Sequence, residues 1–138
     1  LSWEGLDALR ERKRVTPFSG TTCIRGDDGR AIWFSKVVVP GIRKEAKLRE
    51  AGGASPVFQH IGLYGYARVA LERIAELAPS PYEELEGLEQ LRFLENGLTM
   101  YAVEVEASDL PSAGIDSPED VAHVEAALEG GRDPYLAS

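Results

Sequence analysis

The chain of 138 residues holds one cysteine, one methionine and two histidines, and its fifteen basic side chains are outnumbered by twenty-three acidic ones. With Cys23 alone no intrachain disulfide can form, which fits a reducing cytoplasm. A formal net charge of −8 leaves no stretch with the basic density that a phosphate backbone demands, which argues against nucleic-acid binding. The one basic cluster, Arg10 to Arg14, lies beside Glu4, Asp7 and Glu11, as on a solvated helix face. No apolar run approaches the roughly 18 residues needed to cross a bilayer, so no membrane association is expected. The opening Leu1-Ser2-Trp3-Glu4-Gly5 lacks an initiator methionine, a charged leader and an apolar signal core, and reads as starting inside a longer protein.

What is present is a 43% hydrophobic composition, enough for a core in one compact domain spanning residues 1–138. Leu6 and Leu9, with charges between them, predict an amphipathic helix ending before Pro17. Thr21 to Ile24 and Ala31 to Ser35 predict a hairpin around Gly26-Asp27-Asp28-Gly29. Arg43 to Glu50 predicts a helical turn inside a long connection, and long connections often carry function. In His60 to Tyr66, Ile61 and Leu63 alternate with His60, Tyr64 and Tyr66, which predicts a buried strand.

A helix over Ala67 to Leu77 follows, with Ala70, Leu71, Ile74 and Leu77 at helical spacing and Pro79 as its stop. The best-marked helix has Ser80 as N-cap, Pro81 at its first position, Glu83 completing a capping box and Asn96-Gly97 as its stop. Its expected core stripe is Leu85, Leu88, Leu91 and Leu94. Tyr101, Val103 and Val105 alternate with polar or small residues and predict a half-buried strand. Ser117 and Pro118 open a last helix that Gly130-Gly131 ends. The order is α/β in character, with few strands for a self-sufficient doubly wound sheet.

Several residues have side chains suited to binding. His60 and Tyr64, four apart on a strand, would project from one face roughly 13 Å apart along the backbone. They line a pocket or are hydrogen-bonded core residues; Gly62 and Gly65 favour close approach of a ligand or backbone. Glu89 and Gln90 sit mid-helix, as solvent-facing residues or as partners for a sugar hydroxyl or carboxylate. Arg43 offers a planar fork for a substrate carboxylate, or pairs with Glu45 or Glu50 on the surface. Asp116, in Gly114-Ile115-Asp116-Ser117-Pro118, suits a divalent cation beside a phosphate, or merely supports the following helix start. One aspartate cannot hold Mg²⁺ by itself, so a second ligand would have to come from elsewhere. His123 reads as structural or surface, and Cys23 lacks the basic partner a nucleophile needs.

Five segments taken together carry a resemblance: Trp33-Phe34-Ser35-Lys36, Val39-Pro40-Gly41-Ile42-Arg43, His60-Ile61-Gly62-Leu63-Tyr64-Gly65-Tyr66, Leu88-Glu89-Gln90-Leu91-Arg92 and Gly114-Ile115-Asp116-Ser117-Pro118-Glu119-Asp120. From about Thr16 onward the chain resembles the C-terminal half of the 3-deoxy-manno-octulosonate cytidylyltransferases, the CMP-Kdo synthetases. The resemblance implies the C-terminal part of a nucleotide-diphospho-sugar transferase-like, Rossmann-like mixed sheet, with helices on both faces and a β-hairpin extension.

It further implies a cytoplasmic enzyme that transfers CMP from CTP to 3-deoxy-manno-octulosonate (Kdo), releasing pyrophosphate, for lipopolysaccharide biosynthesis. Arg43, His60, Tyr64, Glu89 and Gln90 would contact the sugar acid, no side chain would act covalently, and Asp116 would be one Mg²⁺ ligand. A homodimer formed through this half, or association with an absent N-terminal CTP-binding half, is also implied. Residues 1–138 lack that half, so the chain alone is expected to bind CTP poorly and turn over nothing. Lys36 stands where family members often have arginine, and Gln59 where a basic residue often precedes the histidine. An 8-amino-Kdo or sialic-acid type of cytidylyltransferase and a non-catalytic dimerisation module are the alternatives.

Overall fold

Ser2 accepts a hydrogen bond on its hydroxyl from Gly5 N at 3.0 Å, satisfying one of the amides that a helix start leaves unpaired. Helix α1 (Trp3–Val15) follows as predicted, with Trp3, Leu6 and Leu9 buried and Arg12, Lys13 and Arg14 in the last turn, where basic charge suits the carbonyl end. Lys13 turns inward and donates to the carbonyls of Ser19 and Lys36 at 2.5 and 2.6 Å, tying the end of α1 to the exit of the hairpin.

The structure is a computed structural model that describes residues 1–105, together with Val121 and Glu125, both helical. The chain groups into two compact units, Leu1–Glu104 and Val105–Ser138. Apart from Val121 and Glu125, the helix expected after Ser117 lies outside the described residues, as do Asp116 and His123.

The predicted hairpin forms. Strand β1 (Thr22–Arg25) pairs antiparallel with β2 (Ala31–Ser35), Cys23 opposite Phe34 and Ile24 opposite Trp33, with a register slip between Ile24 and Arg25. The turn closes through Gly29 N to Gly26 O and Gly26 N to Arg30 O, while Asp28 accepts from Arg30 N and Nε. On the other side of β1, the short strand β3 (Phe58–Gln59) pairs antiparallel with Thr22 and Cys23, giving the order β2-β1-β3. Helix α2 (Glu45–Glu50) occupies the predicted helical turn and buries none of its residues.

Three expectations about regular structure are corrected. The strand predicted over His60 to Tyr66 does not form: β3 stops at Gln59, and residues 61–67 have no regular structure. Ile61 and Leu63, the side expected to be buried, are exposed, Leu63 at 87%. Alternation makes a strand only where a neighbour offers a ladder, and in this antiparallel register the residues after His60, which bonds to Thr21 O, run past the start of β1 at Thr22.

Helix α3 (Arg68–Ala75) has almost the predicted span, but none of its residues is buried, because no described element covers its apolar side. The segment from Tyr101 makes only a single bridge, Arg30 with Tyr101. Its expected inward residues are exposed, Val103 at 82%, while Ala102 packs on the core. Ala102 is held there by its own N–H to Gly29 O and by Arg25 Nε, which donates to Ala102 O at 2.8 Å.

The predicted long helix after Ser80 is two short ones, α4 (Pro81–Glu86) and α5 (Gln90–Glu95). Gly87 takes a left-handed conformation at φ 62°, and Leu88 N reaches back to Glu83 O, the 6→1 bond that ends a helix. The capping box of Ser80 and Glu83 forms as predicted, and Glu95 adds a carboxylate that accepts from Ser80 Oγ and from the N–H groups of Tyr82 and Glu83. Turning the chain at Gly87 leaves Leu85 78% exposed but carries Leu88 and Leu91 into the core.

There Leu88 and Leu91 meet Cys23, Ala31 and Phe34 from the sheet, with Trp33, Phe58, Leu94, Met100 and Ala102 around them. Burying each large apolar side chain contributes about 1.5–3 kcal/mol, so this contact is what fixes α5 against the hairpin. A second cluster joins Trp3 and Leu6 of α1 to Val57, with Val38 and Ile42 packed on it. The α/β character is borne out, expressed among the described residues as a small antiparallel sheet with helices.

Candidate functional site

After β3 the chain makes one more ladder bond, His60 N to Thr21 O at 2.9 Å, and then leaves the sheet. Leu63 N donates to Ile61 O at 2.8 Å, closing a three-residue turn about Gly62. This turn folds Tyr64 back, so that its hydroxyl lies 2.7 Å from His60 Nε2. The donor is the phenol or the imidazole according to the tautomer.

From this pair a row of rings runs across the molecule. Phe34 of β2 meets His60 edge to face at 5.3 Å between centroids, Tyr64 stacks on Tyr66 at 5.7 Å, and Tyr66 stacks on Phe93 of α5 at 5.5 Å. Ile61 and Leu63, which the alternation set apart from His60, Tyr64 and Tyr66, face solvent.

Partial burial decides the protonation of the row. The imidazole of His60 is held below its ordinary value, first because burial disfavours the charged ring and second because the Lys36 ammonium repels it. The Tyr64 phenol is pushed up to about 12, by burial first and then by Tyr66, Glu89 and Cys23. Tyr66 is raised as well, by burial and then by Glu89. Near neutral pH the row therefore presents an uncharged imidazole and two protonated phenols, with Lys36 and Glu89 as the charges that act on it.

Gln90 and Phe93, three apart at the start of α5, share a helix face. Gln90 is only 3% exposed, and its Nε2 has no hydrogen-bond partner among the described residues. Leaving such a donor unmatched costs about 1–3 kcal/mol, and an orphan of this kind calls for an explanation. The solvent-facing reading of Gln90 is thus corrected: the break at Gly87 re-aims the chain and buries the amide. Glu89, at the N-cap position of α5, is exposed.

Arg43 stands in the turn before α2, exposed, and forms no ion pair among the described residues. The surface pair expected with Glu45 does not form, because Arg10 and Arg49 already occupy that carboxylate. Nothing among the described residues bonds Arg43 to the aromatic row; its neighbour Ile42 packs instead on the cluster of Trp3, Leu6 and Val57. The structure brings His60 and Tyr64 into contact, leaves Glu89 exposed where its charge acts on Tyr64 and Tyr66, places Gln90 on the helix that carries the last ring, and leaves Arg43 in the turn before α2.

Two contributors were not foreseen. Phe93 was hidden because its position falls between the leucines of the assumed stripe. Glu86 accepts from Ser35 Oγ and, at 2.6 Å, from Lys36 N, and so fixes the backbone of the lysine whose charge acts on His60; a glutamate in a glutamate-rich helix gives no signal for that.

A cavity of about 590 Å³ at the hairpin turn, lined by Asp27, Asp28, Arg30 and Leu98 among others, shares no residue with the row. Its two aspartates make it a poor home for a triphosphate. Among the described residues no group of three or more His, Cys, Asp or Glu stands ready for a metal ion, and no helix is long and apolar enough to cross a membrane.

The small sheet backed by helices is a nucleotide-sugar transferase fold. It superimposes with a TM-score of 0.64 on the structure of CMP:2-keto-3-deoxy-manno-octonic acid synthetase complexed with CTP, over 93% of this chain and 56% of that one, at 23% identity. Within that class the chain belongs to the cytidylyltransferase family, whose model matches residues 4–104.

The chain is similar to the 3-deoxy-manno-octulosonate cytidylyltransferase of Maricaulis maris, 41% identical over 117 residues. It is similar also to those of Syntrophotalea carbinolica, 45% over 106 residues, and Chlamydia pneumoniae, 36% over 144. These alignments cover 85%, 74% and 91% of this chain. They cover 43%, 40% and 52% of the respective relatives, so the chain spans about half their length or less.

Proposed function

We propose that this chain forms the sugar-acid side of a cytidylyltransferase that transfers CMP from CTP to Kdo with release of pyrophosphate, in the cytoplasm and toward lipopolysaccharide. The observation that carries this reading is the buried, unpartnered amide of Gln90 on the helix where the aromatic row ends. A polyhydroxylated acid supplies the acceptors that such an amide lacks, and its carboxylate suits the exposed Arg43 guanidinium, which has no counter-ion among the described residues. His60 and Tyr64 offer uncharged donors and acceptors to the hydroxyls, and Glu89 accepts from them.

In the reaction a sugar hydroxyl oxygen attacks the α-phosphorus, the new O–P bond forms, the bond to the pyrophosphate oxygen breaks, and the hydroxyl proton is released. Holding the hydroxyl in line is the contribution of this chain, and positioning of that kind accounts for a large share of such accelerations. Magnesium would offset charge on the phosphates, and Asp116 is the residue here that would help hold it. One carboxylate does not complete a magnesium site, and the described residues offer no further cluster, so no step is derived through the ion. By itself the chain binds CTP weakly, since its hairpin turn is acidic, and a partner surface or a second copy completes the enzyme.

Calorimetry with Kdo tests this directly. The expected result is binding heat for the natural chain that falls away in Arg43→Ala and in Gln90→Ala. An absence of heat with Kdo, 8-amino-Kdo and sialic acid alike overturns the proposal in favour of a module that serves assembly only. Pyrophosphate release from CTP and each sugar acid, measured on the full gene product, then identifies the preferred acceptor.

A further inference from the structure

Helix α2 is anchored in an unusual way. It has six residues, too few to persist in isolation, no side-chain cap at Lys44, and no buried residue. What fixes it against α1 is charge. Arg10 donates from Nη1 and Nη2 to the two oxygens of Glu45, both at 2.8 Å. Arg49 donates to Asp7 at 2.7 and 3.0 Å and to Glu45 at 2.7 and 3.0 Å. The Arg49 guanidinium also lies 4.5 Å from the centre of the Trp3 ring, a cation over an aromatic face.

On the N-terminal side the strap is rooted where Ile42 packs on Trp3, Leu6 and Val57; on the C-terminal side Ser55 is buried. Between α2 and Ser55 lie Gly52 and Gly53, both at positive φ with open space around them, a natural hinge. Arg43 is two residues before Glu45, on the short link between the Ile42 root and the helix.

We propose that Asp7, Arg10, Glu45 and Arg49 form an ionic latch that holds α2 on α1, and that Glu45 is thereby a positioning residue for Arg43. Because the helix has no buried residue of its own, breaking the latch frees the strap and leaves the cluster around Leu88 and Leu91 untouched, while the Trp3 ring loses only its contact with Arg49. The positioning of Arg43 toward a sugar acid rests on the function proposed above; the latch itself does not.

Hydrogen exchange read by mass spectrometry on the chain separates the two. Glu45→Gln, which keeps the shape and removes the charge, is expected to speed exchange of the amides over 44–51 on the order of tenfold. Glu45→Asp restores part of the protection, and Arg14→Ala, which removes an exposed pair elsewhere on α1, leaves it unchanged. Raising salt to about 1 M, where the screening length is about 3 Å, moves the natural chain toward the Glu45→Gln behaviour. Exchange over 44–51 that ignores both Glu45→Gln and salt overturns the latch.

In calorimetry, Glu45→Gln is expected to weaken Kdo binding about tenfold while Arg43→Ala in that background costs little more. Intact Kdo affinity in Glu45→Gln despite fast exchange overturns the positioning role. No Kdo binding to the natural chain overturns the functional reading and leaves the exchange result to judge the latch.

Discussion

The Tyr64 hydroxyl lies 2.7 Å from His60 Nε2, although on an extended strand the two residues would stand roughly 13 Å apart along the backbone. The turn at Gly62 makes the difference, and it converts two side chains of one strand face into a single polar unit set among rings. Their environment shifts both groups toward their neutral forms, which sets the pH behaviour of the site.

His60 should titrate below its ordinary 6.5 in a proton NMR experiment. Lys36→Met removes the repelling ammonium and should raise the midpoint, which should still stay under 6.5 because burial is the larger cause. Since the folded value is depressed, the corresponding stability is present above about pH 6.5 and is lost as pH falls through the folded midpoint. A midpoint at or above 6.5 in the natural chain would show that the ring is not sequestered.

Tyr64→Phe should leave His60 Nε2 without its partner and lower stability by about 0.5–1.5 kcal/mol, read from urea denaturation. The stacking on Tyr66 is kept by the phenyl ring, so the slope of the urea transition should change little. In the natural chain, absorbance titration should show a phenol ionising only near the value of about 12 to which Tyr64 is pushed.

Gln90→Met should stabilise the free chain, by as much as about 1–3 kcal/mol, because it removes a buried donor that no described residue satisfies. The same change should abolish Kdo binding. Gain in thermal midpoint together with loss of calorimetric heat is the signature of a residue kept for a ligand; destabilisation would mean the amide serves packing.

Acid should loosen α2 before the core. Glu45 is held down to about 2, first by its hydrogen bonds from Arg10 and then by those from Arg49. A depressed carboxylate contributes stability above its unfolded value of about 4.3, and that contribution is lost as pH falls toward the folded value. The protection factors over 44–51, which discount the pH dependence of the intrinsic exchange rate, should therefore fall between about pH 4.3 and pH 2, a window in which Glu45→Gln should show no such trend.

Much of the local structure was legible in the chain. Leu6 and Leu9 mark α1, which ends before Pro17, Gly26-Asp27-Asp28-Gly29 closes the hairpin, and Ser80 with Glu83 starts α4 as expected. The stop at Asn96-Gly97 also holds, with Leu98 N reaching back to Phe93 O. That His60 and Tyr64 lie on one side of the chain was legible too, from spacing, although the geometry that joins them was not. The strands over His60 to Tyr66 and from Tyr101 were misread because periodicity reports which residues share a side, and says nothing of whether another element covers it.

By itself the sequence determined those features whose causes lie within a few residues: caps, turns, helix stops, and the acidic, cysteine-poor character that bounds the class of protein. The tertiary structure alone decided that Gly87 splits one helix in two, that Gln90 is buried while Leu85 is not, and that Glu45 turns to Arg10 and Arg49 and leaves Arg43 open. The reason is physical. A cap or turn is settled by backbone groups a few bonds away, whereas burial and ion pairing depend on which distant surfaces meet, and here the packing of Leu88 and Leu91 on the hairpin and of Ile42 on Trp3 and Leu6 settles that.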